Sequence, residues 1–422
     1  MSTIETHCAI EAVWRIESAR VIASLARIVR DVGLAEELAQ DALVVALEKW
    51  PQSGIPDNPG AWLMATAKHR ALDHFRRAKL LDRKHEELGR ELKSQQEAAV
   101  ANFAIPEQGE IEDDLLRLVF VSCHPVLSTE ARVALTLRLL GGLTTAEIAR
   151  AYLAPEPTIA QRIVRAKRTL SDAKVPFEVP APADRAARLS SVLEVVYLIF
   201  NEGYSATAGS DWMRPELCND ALRLGRMLAE LAPGEAEVHG LVALMEIQSS
   251  RFSARTNSDG EPILLLDQNR SLWDQLLIRR GLAALDRAIA LGNAGPYVLQ
   301  AAIAACHARA QTAAHTDWPQ IADLYAQLSA LAPSPIVELN RAVAVSMANG
   351  PAAGLALLDS VANAPSLKNY HLLPAVRGDF LSKLGRFSEA RDEFARAAAL
   401  TSNARERELL LSRARKAEQG IA

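Results

Sequence analysis

The sequence has no surplus of basic residues. Its 47 lysines and arginines are outnumbered by 51 acidic residues, and the 422-residue chain has a formal net charge of −4. A protein that bound nucleic acid over its whole surface would be basic overall, so that class is excluded. Any contact with nucleic acid must therefore come from a local basic face.

Cysteine is scarce and widely spaced. The four thiols, Cys8, Cys123, Cys218 and Cys306, form no C-x-x-C pair, which argues against a disulfide scaffold and against a zinc finger. Reduced thiols are the simplest interpretation. Cys123 and the adjacent His124 would make half of a metal site, but the neighbouring sequence supplies no further ligands. We expect neither a metal nor another cofactor.

Long apolar runs and enzyme signatures are missing as well. No stretch reaches the roughly 18 apolar residues that span a membrane, and the N-terminal MSTIETHCAIEAVWRIESAR has no basic segment followed by an apolar core. We therefore expect no signal peptide and a cytoplasmic protein. H-E-x-x-H, the P-loop, G-x-S-x-G and G-x-G-x-x-G do not occur, so we expect no enzymatic activity.

The composition favours helices. Aromatic residues make up only 5% of the chain, whereas alanine is abundant, and alanine loses no side-chain entropy when it enters a helix. Alternation of apolar and polar residues is almost absent. The one candidate, Pro262–Leu266, could be a short extended segment or a hairpin arm. The predicted fold class is all-α.

Three helical blocks follow one another along the chain. The first, residues 1–78, contains a Pro/Gly-rich break, WPQSGIPDNPG, from Trp50 to Gly60. A charged stretch at 79–110 suits a solvated linker. The second block, 111–175, ends at the proline-rich VPFEVPAPADR, which predicts a boundary before the largest block, 186–422.

The last block has an internal period. Gly350 and Gly385 each precede small and large apolar residues at helical spacing, and they lie about 35 residues apart, close to the period of tetratricopeptide helix pairs. Leu231–Pro233 recurs as Leu331–Pro333, about three such periods later, and each is followed by a predicted helix. Stacked helix pairs usually present a concave binding surface, although a plain folded appendage is the alternative.

The sharpest local pattern runs from Leu127 to Leu170. Ser128 is a good N-cap for a helix that ends at the Gly141-Gly142 pair. Thr144 and Glu147 form a capping box that opens a short helix. A proline-containing turn and a second helix follow, and this succession is typical of a helix-turn-helix.

The second helix of this pattern is basic. Ile159, Ile163 and Ala166 are spaced to face a core, while residues 157–174 carry five basic residues and one acid. Such a strip can neutralise phosphates while Gln and Arg side chains reach base edges in the major groove. A basic helix can also be only a solvated face, but the capped helix and the turn before it favour DNA.

The first block joins an acidic helix to a basic one. DVGLAEELAQDALVVALEKW, from Asp31, has acidic residues in its first turns and a broad apolar stripe. NPGAWLMATAKHRALDHFRR, from Asn58, places Trp62 among basic residues. This mixture suits melted DNA, whose bases stack on rings, although tryptophan is more often part of a core.

Together these stretches resemble the extracytoplasmic-function sigma factors of bacterial RNA polymerase, over about residues 11–170 apart from the linker. The Asp31 helix is similar to the region 2 helix that contacts the polymerase clamp, the Asn58 helix to the one that meets the promoter −10 element, and the Leu127 segment to region 4, which reads the −35 element. Three later stretches resemble a subfamily with a long tetratricopeptide-like extension: YLIFNEGYSAT, DGEPILLLDQNRSLWD and AGPYVLQAAIAACHA.

The resemblance implies an architecture and a set of site residues. The architecture is two small sigma domains, a region 2 bundle and a region 4 helix-turn-helix, followed by a helical repeat domain. The loop from Trp50 to Asn58 would capture a flipped −10 base. Core RNA polymerase would be bound by Glu36, Glu37, Gln40 and Asp41. Promoter DNA would be contacted by Asn58, Trp62, Lys68, Arg70, Arg76 and Arg77 at the −10 element, and by Thr158, Gln161, Arg162, Arg165 and Arg168 at the −35 element.

One motif departs from the family. Where its members commonly have Gly-Thr-Val-Lys-Ser-Arg before the recognition helix, this chain has PTIAQR from Pro157 to Arg162. Two base-facing positions therefore differ, and the family's −35 sequence is not carried over. Proline in the first turn is compatible with a helix start.

The extension is expected to regulate the sigma regions in cis, through intramolecular contact, because a regulator-sized domain is fused to them. Segment 251–273 is too elaborate for a repeat turn. It is either a long structured loop whose ion pairs pack one repeat on the next, or a contact for the sigma regions or a small ligand. Its candidate regulatory residues are Arg255, Asp259, Asp267, Gln268, Arg270 and Trp273.

Two other functions stay open at this point. A conventional helix-turn-helix activator with a repeat sensor domain would bind duplex DNA without polymerase. A repeat-based interaction scaffold would carry the helix-turn-helix only incidentally.

Overall fold

A computed structural model describes residues 3–85, 108–152, 154–206, 208–209, 212–258 and 260–420. These residues form 18 α-helices, five short 3₁₀ turns and one pair of two-residue strands. The all-α prediction is confirmed. The chain divides into two compact units, residues 1–196 and 197–422. None of the described helices is long and apolar enough to cross a membrane.

The first unit packs around a long N-terminal helix. This helix, α1, contacts α2, α3 and α4, and α5 and α6 pack on α7. The eight helices that begin in this unit are α1 Thr3–Val29, α2 Val32–Ser53, α3 Pro59–His85, α4 Gln108–Ser122, α5 Thr129–Leu139, α6 Thr145–Ala151, α7 Glu156–Asp172 and α8 Pro182–Tyr204.

Side-chain caps fix the ends of several of these helices. The Asp31 carboxylate accepts a hydrogen bond from the Leu34 amide at 2.8 Å, and the Ser128 hydroxyl accepts one from the Ala131 amide at 3.3 Å. The Thr144 amide donates to the Glu147 carboxylate at 2.7 Å, and the Glu147 amide donates to the Thr144 hydroxyl at 3.1 Å. The predicted N-cap and capping box are confirmed, and each cap satisfies amides that no helical carbonyl can reach.

The Pro/Gly-rich break is shorter than the sequence suggested. Helix α2 continues through Pro51 to Ser53, and only residues 54–58 separate it from α3. Trp50 is buried at the end of α2 and meets Trp62 edge to face, with ring centroids 5.2 Å apart. Gly54, at φ +83°, ends the helix. Trp50 therefore belongs to the core and not to the loop in which we had placed it.

The second unit is a succession of helices in which sequence neighbours pack together. Gly350 and Gly385 both have positive φ, at +96° and +76°, as their predicted place at helix turns requires. The helices are α9 Pro215–Leu231, α10 Ala236–Ser249, α11 Gln275–Leu291, α12 Pro296–Arg309, α13 Trp318–Leu331, α14 Pro335–Asn349, α15 Pro351–Val361, α16 Leu372–Lys383, α17 Phe387–Leu400 and α18 Ala404–Glu418.

Close packing between helices depends on small residues. A Cβ added to Gly378 would lie 2.9 Å from the ring of Phe394, which is itself buried with Phe380 in the C-terminal core. Because Gly378 lacks a side chain, α16 and α17 can approach closely enough to bury both rings.

An irregular segment interrupts the helices between α10 and α11. It contains the 3₁₀ turns Phe252–Ala254, Leu265–Asp267 and Arg270–Leu272. Of the extended stretch expected at Pro262–Leu266, Pro262 pairs with Thr256 in a single antiparallel bridge. A parallel pair, β1 Ala208–Gly209 with β2 Ser402–Asn403, was not foreseen, because two-residue strands are too short to show an alternating pattern.

Candidate nucleic-acid interface

Helix α7 has a buried apolar side and an exposed polar side. Ile159, Ile163 and Ala166 are buried, as predicted, together with Leu170. Their spacing fixes the orientation of the helix, so the opposite side faces solvent. That outer side exposes Thr158, Gln161, Arg165 and Arg168, with Arg162 half-buried at its edge.

A cleft of about 360 Å³ lies between α7 and the start of α5, and Thr158, Gln161, Arg162 and Arg165 line one of its walls. Hydrogen bonding to the backbone at the start of α5, followed by Ser128 and the charge of Arg162, lowers the pKa of Glu130 from its usual range. The charge of Arg162 thus acts on the exposed Glu130 carboxylate, and neither Arg162 nor Arg165 makes an ion pair among the described residues.

Two residues of α7 depart from expectation. Val164 is 64% exposed on the outer side, where an apolar side chain can contact a thymine methyl group. Because Val164 is neither charged nor polar, the sequence pattern of a DNA-binding strip does not include it. Lys167, part of the basic strip, turns away from that side and pairs with Glu36 of α2.

Helix α3 presents arginines, but its Lys68 is buried. Arg70, Arg76 and Arg77 are exposed. The Asn58 side chain is exposed and caps α3, accepting a hydrogen bond from the Ala61 amide at 3.0 Å. Lys68 is only 6% exposed, so this conformation does not offer it to a DNA strand, contrary to what the sequence led us to expect.

Helix α2 has an exposed side of acidic and apolar residues. Glu37 and Asp41 are exposed and Gln40 is half-buried. Val44 is 52% exposed, and Leu47 is exposed next to it. The broad apolar stripe predicted for this helix is therefore not wholly buried, because Val44 and Leu47 are exposed and available to a partner.

Glu36 stands apart from its neighbours on α2, because it is only 3% exposed. Its carboxylate accepts hydrogen bonds from Arg138 Nε of α5 and from Gln40 Nε2, both at 2.6 Å, and it pairs with Lys167 of α7. Two cations from the helix-turn-helix therefore converge on one carboxylate of the first helical bundle.

Two known sequence families match the first unit, region 2 before region 4. Sigma-70 region 2 matches residues 15–80, and Sigma-70, region 4 matches residues 117–170. ECF RNA polymerase sigma factor SigK of Mycobacterium ulcerans (strain Agy99) is 32% identical over 157 residues, which cover 36% of this chain and 78% of that protein. The chain belongs to the ECF RNA polymerase sigma factors.

This sigma factor also has relatives that share more, or less, of its length. Uncharacterized protein R00370 of Rhizobium meliloti (strain 1021) is 43% identical over 388 residues, covering 92% of this chain and 90% of that protein. Probable ECF RNA polymerase sigma factor SigI of Mycobacterium tuberculosis (strain ATCC 25618 / H37Rv) is 25% identical over 173 residues, which cover 41% of this chain and 58% of that protein. A family of unknown function (DUF6596) matches residues 188–289, which places the sigma factor in the subfamily with a long extension.

Region 2 and region 4 of the sigma factor are in direct contact within the first unit. Besides the Glu36 contacts, Arg15 of α1 pairs with Glu147 of the capping box at 2.6 Å. Arg27 of α1 pairs at 2.9 Å with Asp114, which also pairs with Arg117. Burial raises the pKa of Asp114, opposed by these two arginines. Charge pairs between helices far apart in sequence thus bring the two regions together.

The candidate regulatory residues of the extension occupy different environments. Arg255, Gln268 and Trp273 are buried, Arg270 is half-buried and Asp267 is exposed. Asp259 lies outside the described residues. Among the residues that the structure does describe, segment 251–273 makes no ion pair, and Arg270 instead donates to the carbonyls of His307 and Ala310 at 2.7 and 2.6 Å. Hydrogen bonds to main-chain oxygens therefore join this segment to α12.

Proposed function

We propose that this sigma factor directs core RNA polymerase to specific promoters and starts transcription in the cytoplasm, with regulation in cis by its extension. The observation that carries the proposal is the exposed outer side of α7 in region 4, in the same chain as region 2. Polar and basic side chains are presented there on a rigid, capped helix. The chemistry is binding and positioning, with no covalent step.

Polymerase binding is assigned to the exposed side of α2. Glu37 and Asp41 supply negative charge, and Val44 and Leu47 supply apolar area beside it. Exposed apolar side chains rimmed by charged ones are typical of a protein-binding surface. Glu36 and Gln40 would join this surface only after Arg138 and Lys167 withdraw.

Promoter recognition is divided between α7 and α3. Gln161 and Arg165 suit base edges of the −35 element, where a bidentate contact is worth about 1–3 kcal/mol of discrimination, and Thr158, Arg162 and Arg168 suit nearby phosphates. Arg70, Arg76 and Arg77 of α3 suit the backbone of the melted −10 strand. Trp62 keeps one side against Trp50, which leaves its other side for a base.

The contact between region 2 and region 4 sets a condition on this function. The −35 and −10 elements lie about 25 base pairs apart, or about 85 Å along duplex DNA. Glu36 is hydrogen-bonded to Arg138 at 2.6 Å, so the two regions cannot read both elements while this contact holds. We infer that it opens when the sigma factor binds polymerase.

Regulation by the extension is supported by chain connectivity. Helix α8 belongs to the first unit up to Val196 and to the second from Tyr197. In its first half, Ser191 donates to the Cys123 carbonyl at 2.8 Å and Arg188 to the Phe120 carbonyl at 2.7 Å. A single helix is therefore anchored on region 4 and continues into the extension, which gives the extension a way to act on the sigma regions.

The decisive experiment is run-off transcription with purified core polymerase, using the protein's own upstream region as template. We expect promoter-specific transcripts that disappear when the protein is omitted. Arg165→Ala should reduce them, whereas Arg287→Ala, which changes an exposed arginine of α11, should not. A specific shift of duplex DNA without polymerase, and no transcript, would favour the activator. If neither transcripts nor a shift of duplex DNA is observed, and the Arg138→Met variant is also inactive, the scaffold function is favoured.

Regulation in cis requires a separate comparison. A chain shortened after Val175 loses α8 altogether, whereas one shortened after Ser205 keeps the bonds that α8 makes to the end of α4. If the extension regulates region 4, both chains should transcribe differently from the full chain while melting cooperatively. If the chain that ends at Ser205 transcribes as the full chain does, regulation in cis is contradicted.

A further inference from the structure

Three arginines lie together in the second unit without an acidic partner. Arg251 and Arg255 are 9% and 6% exposed, and Arg270 is half-buried. Arg251 and Arg270 both lie against Trp273, with guanidinium carbons 5.8 and 4.9 Å from the ring centre. By contrast, Arg226 of the same unit pairs with the buried carboxylate of Glu246 at 2.8 Å. Among the described residues, none of these three arginines makes an ion pair.

Neutral groups take up some of the donors of this cluster, which we call the arginine cluster (Arg251, Arg255 and Arg270). Arg251 donates to the Tyr204 hydroxyl and to the Gln248 side chain, and Arg255 donates to the Tyr204 carbonyl. Arg270 donates to the Thr316 hydroxyl at 3.0 Å. These acceptors satisfy hydrogen bonds, but they leave the positive charge uncompensated.

Several buried nitrogen atoms in the same place have no partner at all among the described residues. They are Arg251 Nε, Arg270 Nε, Trp273 Nε1 and His307 Nδ1. The arginine and tryptophan nitrogens can only donate, and leaving a buried donor unpaired is costly. Burial, followed by the charges of Arg251 and Arg270, lowers the pKa of His307 to about 4, so this imidazole is neutral at pH 7 and adds no positive charge.

Aromatic side chains offset the charge only in part. The Arg255 guanidinium carbon lies 3.6 Å from the centre of the Tyr204 ring, and Arg251 approaches the same ring at 5.7 Å. Cations are attracted to such rings, so the cluster also supports the packing of this segment. A ring face, however, carries no net charge, so these contacts do not neutralise the three guanidinium groups.

We propose that the arginine cluster is a binding site for the phosphate or carboxylate group of a small organic ligand. An oxyanion would supply the missing negative charge and acceptors for the free Nε groups of Arg251 and Arg270 and for Trp273 Nε1. Guanidinium groups match the geometry of carboxylate and phosphate oxygens. Arg251 lies against both Tyr204 and Trp273, so these two rings border the site. This proposal does not depend on the activity of the sigma regions.

The test is binding of two oxyanions to the full chain, measured by thermal unfolding and by titration calorimetry. Inorganic phosphate and citrate are compared at constant ionic strength, which chloride maintains, so that general screening is the same in every sample. We expect a saturable rise in Tm with at least one of them. A response to phosphate alone indicates a phosphorylated ligand, and a response to citrate alone indicates a carboxylate.

Two variants locate the site. Arg270→Met removes the half-buried charge and should weaken binding at least tenfold, because hydrogen bonds to charged groups are among the stronger ones. Trp273→Phe keeps an aromatic ring and removes only the indole N–H, and it should weaken binding several-fold even if Arg270→Met does not fold. Arg287→Met, on the exposed side of α11, should bind as the unaltered chain does.

Two results would overturn the proposal. One is the lack of any saturable response to either anion at constant ionic strength. The other is binding that Trp273→Phe and every folded Arg270→Met sample leave unchanged.

Discussion

Replacing Arg138 by methionine should release region 2 from region 4. Arg138 bonds to Glu36 at 2.6 Å and also donates to the Leu143 carbonyl at 3.0 Å. Methionine keeps much of the apolar volume of the arginine stem and removes the charge. After the change, the nearly buried Glu36 carboxylate would be left with Lys167 and Gln40 as its partners.

The size of the effect follows from burial. Removing one partner of a fully buried ion pair costs about 3–5 kcal/mol. Because Arg138 keeps about a fifth of its side-chain surface exposed and Lys167 still pairs with Glu36, we expect about 1–2 kcal/mol. Each 1.4 kcal/mol changes an equilibrium tenfold, so the open fraction should rise by about 5- to 30-fold.

The assay is equilibrium binding of the full chain to core polymerase. A protein whose competent state is only partly populated binds more weakly by that fraction, so Arg138→Met should bind about 5- to 30-fold more tightly. Arg20→Met is the matched control, because among the described residues Arg20 pairs only with Glu17 of its own helix, at 3.5 Å. It should bind as the unaltered chain does.

A double-mutant cycle tests the cause. Arg138→Met and Lys167→Met share Glu36 as partner, and their effects on polymerase affinity should therefore be non-additive by about 0.5–3 kcal/mol. The reasoning is refuted if Arg138→Met leaves the affinity unchanged and hydrogen exchange in α2 stays as slow as in the unaltered chain.

Three other outcomes are expected. Arg165→Ala should weaken binding to −35 duplex DNA and reduce the salt dependence of binding by about one phosphate contact; an unchanged salt slope would remove Arg165 from the interface. Burial opposes ionisation of Glu147, but the amide and hydroxyl of Thr144 and the charge of Arg15 outweigh it and lower its pKa. The folded-state pKa thus lies below the unfolded value, and Glu147 stabilises the fold above the unfolded pKa and loses this effect as pH falls through the folded one. Glu147→Gln should therefore flatten the acid side of the curve of unfolding free energy against pH, and equal curves would contradict the assignment. Gly378→Ala should lower the free energy of unfolding by about 1–3 kcal/mol, because its Cβ would lie 2.9 Å from Phe394; Gly385→Ala meets no neighbour and should cost about 1 kcal/mol through its φ of +76° alone.

The sequence by itself determined the local structure and the family. Ser128, Thr144 and Glu147 predict helix starts because a cap involves residues only two or three positions apart. Ile159, Ile163 and Ala166 predict the buried side of α7 because their spacing is that of a helix. Short-range hydrogen bonds and periodicity are written in consecutive residues, so the all-α class and the helix-turn-helix could be found without coordinates.

The tertiary structure decided which of these side chains are available. Glu36 is covered by Arg138 and Lys167, which lie more than 100 residues away along the chain, and no local pattern announces a pair at such a distance. Burial of Lys68 and of Trp50, and the exposure of Val44 and Val164, likewise depend on neighbouring helices.

The arginine cluster is the clearest case. Segment 251–273 contains acids enough to suggest ion pairs, yet Arg251, Arg255 and Arg270 meet carbonyls, hydroxyls and rings, because the folded backbone and not the nearest charge in sequence sets what each guanidinium can reach.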